Sequence, residues 1–308
     1  MAASYRLITR GDFDGVVCAA LLRSSGHVDD VSFAHPKDVQ DGLVPVAGDV
    51  ILANLPYVAG AYMVFDHHSS ELERNAAGTE GIYVNDPDAP SAARVIFEYF
   101  GGAEGFPDID PQLLEAVDRA DSADFSRMDI LEPTHWPLLA FVLDARTGLG
   151  RFRDFRAPNM ALLEKMIDMV RTQSIEEILR DRDVSERIRL YFEQEIYFRQ
   201  QLERCTRLSG DVAVVDLRAE DPIYAGNRFM VYALFPEVRV SVHCLRGLGA
   251  TTVFAVGKSI LDRSSPVNVG HVCLTHGGGG HTAAGTCQVP DAEAEATLGA
   301  LLDALRGN

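Results

Sequence analysis

Asp66-His67-His68 closes an apolar run, Ala61 to Phe65, and hands the chain on to Ser69-Ser70-Glu71. A carboxylate followed by two imidazoles is metal-ligand chemistry. Oxygen and neutral nitrogen donors together suit manganese, zinc or iron, and a strand end aims such groups more firmly than a loop does. A polar turn after a buried strand would have the same composition, so the reading depends on other ligands at other strand ends. Arg10-Gly11-Asp12-Phe13-Asp14-Gly15 supplies two carboxylates one residue apart, between a short strand and an apolar-faced helix, with glycines for a tight path. A helix cap alone would need only one of them. Asp118-Arg119-Ala120-Asp121-Ser122-Ala123-Asp124 adds three more acids. On a helix the 118 and 121 side chains share a face, so one or both can enter a common site, while a solvated helix end suits Asp124 best.

A fourth stretch, Gly277-Gly278-Gly279-Gly280-His281, is chemically different. Consecutive glycines lose much backbone entropy on folding, and that cost implies a backbone that something approaches closely. Successive amides in such a loop can cradle an anion, and the histidine can donate to a phosphate oxygen. The run lacks the Gly-Lys-Ser/Thr ending of a P-loop, and a strand-like segment, Thr286 to Val289, follows too soon for a flexible linker.

The elements that must position these residues follow from the hydrophobic pattern. Tyr5 to Thr9, Val31 to Pro36, Asp49 to Asn54 and Ala61 to Phe65 read as strands, and Val16 to Leu22, Ser91 to Phe100 and Pro111 to Arg119 as helices. That spacing is that of a mostly parallel sheet, whose carboxyl edge binds ligands; Asn54 falls at such an edge, and His35 before Pro36 reads as a turn residue. From Asn159 to Leu208 the chain is charged and helical in period, with no strand signal, and its Arg and Glu residues read as a solvated, paired face. After Gly210 the pattern returns to strands at 212–217, 238–244 and 251–256, with a helix opening at Gly226 to Tyr232.

Bulk properties narrow the function. The 308 residues are long for one core, so two domains are expected. No apolar run is long enough to span a membrane, and Met1 to Arg6 lack the order of a signal peptide, so a cytoplasmic address is expected. The five cysteines are scattered without a two-residue spacing and read as reduced and mostly buried. A net charge of −17, from 28 Lys+Arg against 45 Asp+Glu, leaves no basic surface for a long duplex. A phosphorylated partner would then be small, or a short single-stranded oligonucleotide end, held by metal, amides and a few arginines.

Asp12-Phe13-Asp14-Gly15, Asp66-His67-His68, Asp118 to Asp121 and Gly277 to His281 together resemble the DHH phosphoesterase family, in the branch carrying a DHHA1 domain, and closer still the exopolyphosphatase-related proteins. The resemblance covers nearly the whole chain. It implies an α/β protein with an N-terminal doubly wound, mostly parallel sheet (the catalytic DHH domain, 1–155), a helical linker (156–208) and a smaller C-terminal α/β DHHA1-like substrate-binding domain (209–308). It also implies Mn2+, with Mg2+ or another divalent ion as the alternative, and hydrolysis of a short oligonucleotide, nucleotide phosphate or polyphosphate by metal-activated water. A homodimer stays open.

By the same resemblance Asp14, His67 and Asp121 serve one metal, while Asp12 belongs to another. Asp66 and Asp118 are ligands or neighbours of ligands, His68 binds substrate or assists proton transfer, and Arg10, Gly278, Gly279, Gly280 and His281 contact phosphate. Two positions depart from the family pattern: Arg10 stands where a histidine is common, and Asn54 where an aspartate bridges metals. A permanent cation cannot ligate a metal, and an amide bridges poorly, so one site is expected intact and the second doubtful. Either Arg10 takes over the electrostatic task of the second ion, or the second metal binds weakly and activity needs a high metal concentration, or the protein is a non-catalytic nucleotide or polyphosphate sensor.

Overall fold

The apolar runs of the first half become adjacent strands of one sheet: β1 (Tyr5–Arg10), β2 (Val28–Ala34), β3 (Val50–Ala53), β4 (Met63–Asp66) and β5 (Ile82–Asn85). Their order is β2-β1-β3-β4-β5 and every pair is parallel. β3 and β4 are buried at every position, which is why they read as continuous apolar runs rather than alternating ones. The chain leaves β1 for β2 on one side and returns to β3 on the other. This reversal opens a crevice at the carboxyl ends of β1 and β3, which is where Arg10 and Asn54 lie. This is the expected doubly wound α/β class. The computed structural model describes residues 5–306; Met1 to Ser4, read above for a leader, lie outside the described residues.

The helix Phe13–Ser24 is buried from Phe13 through Leu22, and within that span Asp14 is the one charged residue. It packs against the helices Ala92–Tyr99, Pro111–Asp121 and Asn159–Thr172. His35 caps the helix Pro36–Gln40, its Nδ1 accepting from Lys37 N at 3.2 Å, which is the turn role its sequence implied.

Contacts divide the chain into two compact units, residues 1–124 with 133–189, and 125–132 with 190–308. The second holds a six-stranded sheet built from β6 (Thr206–Ser209), β7 (Val212–Asp216), β8 (Val240–Arg246), β9 (Thr251–Lys258), β10 (Gly279–His281) and β11 (Ala284–Pro290), in the order β10-β11-β9-β8-β7-β6. Only β7 and β8 are parallel neighbours. One face carries Val214, Val242, Cys244, Phe254 and Cys287, packed with Cys273 and the leucines of the helix Ala294–Leu305.

Two local expectations change. The helical reading through Leu208 stops at Cys205, where the helix Arg182–Cys205 runs directly into β6, an edge strand too short and polar to stand out. The charged stretch is also less solvated than its composition implies. Arg187 is 2% exposed, its guanidinium donating to Asp183 O and Asn159 Oδ1 at 3.1 and 3.0 Å and lying 4.1 Å over the Phe155 ring. Among the described residues no helix is long and apolar enough to cross a membrane.

Candidate metal centre

Asp14, His67 and Asp121 come together so that one donor atom from each lies within 4.8 Å of the others. Three elements do this. Asp14 is in the first turn of the helix Phe13–Ser24, His67 follows β4, and Asp121 ends the helix Pro111–Asp121. Gly15 makes the approach of the first helix possible, because a Cβ there would fall 1.8 Å from Arg10 O. At Gly11 a Cβ would meet side chains alone, the end of Leu163 at 3.3 Å and Phe33 Cβ at 3.7 Å, so of the two glycines Gly15 is the one the turn requires.

Asp14 is 3% exposed, and its oxygens accept from Ala92 N and Ala93 N at 3.0 and 2.9 Å. These are the first amides of the helix Ala92–Tyr99, whose N-terminus favours an anion. Burial and Asp121 nevertheless raise the Asp14 carboxyl to about 7, against the pull of His67. His67 Nδ1 lies 3.1 Å from Ala89 O; a carbonyl only accepts, so Nδ1 carries the proton and the neutral ring offers its lone pair at Nε2. Nε2 is 2.9 Å from Asp121 Oδ2 but is not aligned for a hydrogen bond, and it is a buried nitrogen without a hydrogen-bond partner. Burial works to lower the His67 pKa, yet Asp121 and Asp14 outweigh it and bring it up to about 9. The Asp121 carboxyl is held down: burial opposes this, and His67 prevails. The group therefore calls for positive charge at Nε2, which either a proton or a metal ion can supply.

Those features fit a divalent cation: two carboxylates and an imidazole nitrogen, a buried nitrogen that makes no hydrogen bond, and no ion pair from Arg or Lys to Asp14 or Asp121 among the described residues.

Asp12 is in the opposite situation. Its Oδ1 accepts from Gly15 N at 3.0 Å and Asn54 Nδ2 at 3.3 Å, and its Oδ2 pairs with Arg10 Nε at 2.9 Å. Burial raises the Asp12 pKa, and Arg10 opposes the rise. Asn54 adopts a left-handed backbone, with φ of 54°, and its Oδ1 is buried without a partner. Asp12 and Asn54 thus meet, but outside the Asp14 group.

The other expected residues separate by partner. Asp66, 1% exposed, accepts from His68 Nδ1 at 2.7 Å and His67 N at 2.9 Å through Oδ1, while its Oδ2 is buried without a partner. It orients His68, whose pKa burial works to lower but Asp66 raises. Asp118 turns to Arg94 Nε at 3.0 Å and Ser91 Oγ at 2.7 Å, so the structure does not bring it into the Asp14 group. Arg146 escaped sequence reasoning. In the 3-10 turn Ala145–Thr147 its Nε is 2.7 Å from Asp144 Oδ1; burial works to lower its pKa, and Asp144, Asp12 and Asp121 raise it. Its half-exposed guanidinium is thus within electrostatic range of both acids. No motif or periodicity marks that turn.

In the second unit the glycine run is half of a hairpin, with Gly279 opposite Thr286, Gly280 opposite Gly285 and His281 opposite Ala284. Packing accounts for most of its glycines. A Cβ would fall 2.0 Å from Thr286 O at Gly278 and 2.2 Å from Ala284 O at Gly280, while Gly277 needs φ of 74°. Only at Gly279 would a Cβ meet open space within the run apart from Gly277. His281 is exposed.

No family model matches the chain, and no curated protein matches it. Among solved structures it is similar to a pGpG-specific phosphodiesterase, PggH from Vibrio cholerae, with a TM-score of 0.84 and 46% identity over 98% of this chain and 99% of that one. RecJ from Thermus thermophilus in complex with Mn2+ gives a TM-score of 0.54 at 16% identity, covering 98% of this chain and 52% of that one. The same RecJ with Mg2+ gives 0.50 at 16%, over 98% and 50%. At such identity RecJ shares the fold alone, whereas the match to PggH runs nearly end to end in both chains. The chain belongs to the DHH superfamily of phosphoesterases, hydrolases acting on phosphoester bonds.

Proposed function

We propose that the chain is a cytoplasmic, metal-dependent phosphodiesterase that cleaves short oligonucleotides, with pGpG as its foremost substrate. The observation that carries this reading is the convergence of Asp14, His67 and Asp121, with a buried His67 Nε2 that makes no hydrogen bond and faces Asp121 Oδ2 at 2.9 Å. The 46% identity to a pGpG-specific enzyme supports the substrate class. Polyphosphate, the substrate of the exopolyphosphatase-related branch, is the first competitor to exclude.

Asp14, His67 and Asp121 would hold one divalent ion, Mn2+ or Mg2+. When bound, such an ion supplies Lewis acidity to the phosphoryl group and lowers the pKa of a coordinated water. The residues around it divide the remaining tasks. Arg10, fixed on Asp12, sets a guanidinium where the family pattern expects metal ligands, and with Arg146 it would neutralise charge on the scissile phosphate. Asn54 acts by donating to Asp12 rather than by ligating. His68, oriented through Nδ1 by Asp66, would bind the substrate and give a proton from Nε2 to the departing oxygen. Asp118 serves as the anchor of Arg94 and Ser91. In the second unit Gly278, Gly279, Gly280 and His281 are the candidate phosphate contacts, with Gly279 the most open to a ligand.

A second reading, a ligand sensor without turnover, draws support from the Arg10–Asp12 pair, which fills the place of a metal with a side chain. One assay separates the readings. Hydrolysis of pGpG, pApA and polyphosphate is followed with Mn2+ or Mg2+, beside a variant carrying Asp14→Ala and His67→Ala. Metal-dependent cleavage of pGpG to two GMP, absent from the variant, is expected. Binding of pGpG without product supports the sensor, and preferred cleavage of polyphosphate overturns the substrate class.

A further inference from the structure

We infer a second anion site, wholly within the second unit, that takes the phosphate of a small phosphorylated ligand. It lies at the far end of the six-stranded sheet from the glycine hairpin. The register gives the separation: Gly257 of β9 pairs with Ala284 beside the hairpin turn, whereas Thr251 and Thr252 pair with Pro290 and Val289 at the other end. Thr251 to Lys258 spans roughly 24 Å of extended chain. There an open depression of about 840 Å3 is lined by Arg204, Arg207, Arg218, Arg246, Thr251 and Thr252, a size that suits a mononucleotide.

Strand pairing puts the key groups on one face. Arg207 stands opposite Val214, and Arg246 stands two residues beyond Cys244 and opposite Thr252; Val214 and Cys244 both face the core under the helix Ala294–Leu305. In a chain of charge −17, four guanidinium groups from separate elements gathered in one depression are an arrangement that mutual repulsion opposes. The carboxylates in the lining do not neutralise all four. Glu220 is taken by Arg204 and Gln201, Asp216 by Arg218 at 2.9 Å, and Asp291 accepts from Thr252 Oγ1 at 2.8 Å. Arg207 and Arg246 form no side-chain hydrogen bond or ion pair among the described residues. Arg207 acts on Asp216 only through space, and Arg207 and Arg246 keep their N–H groups free of protein hydrogen bonds on the lining of one depression, where a phosphate dianion accepts paired N–H bonds from arginine.

The site is independent of the proposed hydrolysis, and the test keeps the two apart. Full-length protein is titrated calorimetrically with GMP and, separately, with inorganic phosphate. The proteins compared are the wild type, an Arg207→Ala/Arg246→Ala variant and the Asp14→Ala/His67→Ala variant. The expected result is a binding event weakened about tenfold or more by the arginine changes and untouched by the changes at the metal centre. Equal affinity for GMP and phosphate assigns recognition to the phosphate alone; tighter GMP binding adds the nucleoside, and either outcome supports the site. Both arginines are exposed, so an unchanged melting temperature is expected of that variant and checks its fold. No binding to the wild type, or binding lost only in the metal-centre variant, overturns the proposal.

Discussion

Asp12 and Asp14 are two residues apart on one turn, yet they end in opposite electrostatic surroundings. Asp14 meets a helix N-terminus, His67 and another carboxylate, and no guanidinium. Asp12 meets Arg10, an amide and a side-chain amide. The two partly buried histidines repeat the contrast. Carboxylates carry His67 up to about 9, whereas burial and then Arg228 bring His243 down to about 4. At His67 the neighbouring carboxylates overcome burial and favour a cation; at His243 no carboxylate opposes burial, and the ring stays neutral.

The largest effect is expected where the contrast is strongest. Asp14→Ala or His67→Ala removes a donor from a three-donor group, and a loss of several kcal/mol, roughly a thousandfold or more in kcat/KM, is expected. Metal content after dialysis should fall with activity; full metal content together with full activity would remove Asp14 and His67 from the site. Next comes Arg10. Arg10→Ala should cost roughly 3 to 4 kcal/mol of transition-state stabilisation, read as kcat with KM little changed. Arg10→His with Asn54→Asp should raise the bound metal from one equivalent to two. If the wild type already binds two, the Asp12 side is not the cation-filled half described here.

The histidine contrast predicts a pH dependence of stability. His243 has an ordinary pKa near 6.5 when unfolded and about 4 when folded, so between these values the unfolded chain binds a proton that the folded one refuses. The stability contribution is complete above the unfolded value and declines as pH falls toward the folded one. From about pH 7.5 to about pH 5 the wild type should lose about 2 kcal/mol that His243→Asn does not lose, an upper figure because the ring is partly exposed. Urea unfolding at the two pH values measures it, and parallel losses in both proteins would break the contrast.

Much of this was legible in the sequence, for identifiable reasons. β3 and β4 are covered on both faces, so their apolar runs announce themselves, and the residues that follow a buried parallel strand point to its ligand edge. Gly15 was legible because glycine is what a strand-to-helix turn this tight requires. β5 and β6 were not, being four residues each and mostly part-exposed, with neither run length nor alternation. Arg146 was hidden in a 3-10 turn, where no period exists to read. The glycine run was legible as costly but ambiguous in cause, since close packing against Thr286 and Ala284 demands missing side chains as strictly as a ligand does.

Asp118 and Asp121 pose the smallest and most discriminating test. Three residues apart on one helix, they share a face by periodicity, which cannot rank them as ligands. The ranking comes from the next helix: Arg94 and Ser91 claim Asp118, and no arginine or lysine pairs with Asp121 among the described residues. Asp118→Ala would leave Arg94 and the Ser91 cap without their partner in a part-buried position. It should lower unfolding stability by about 1 to 2 kcal/mol while leaving metal content unchanged. Asp121→Ala should do the reverse, releasing metal at little cost to stability, because it also removes a carboxylate that crowds Asp14. Metal analysis and denaturant unfolding on the two variants decide the matter; if Asp118→Ala empties the metal site, the sorting of acids by their cationic neighbours fails at the position where it is most specific.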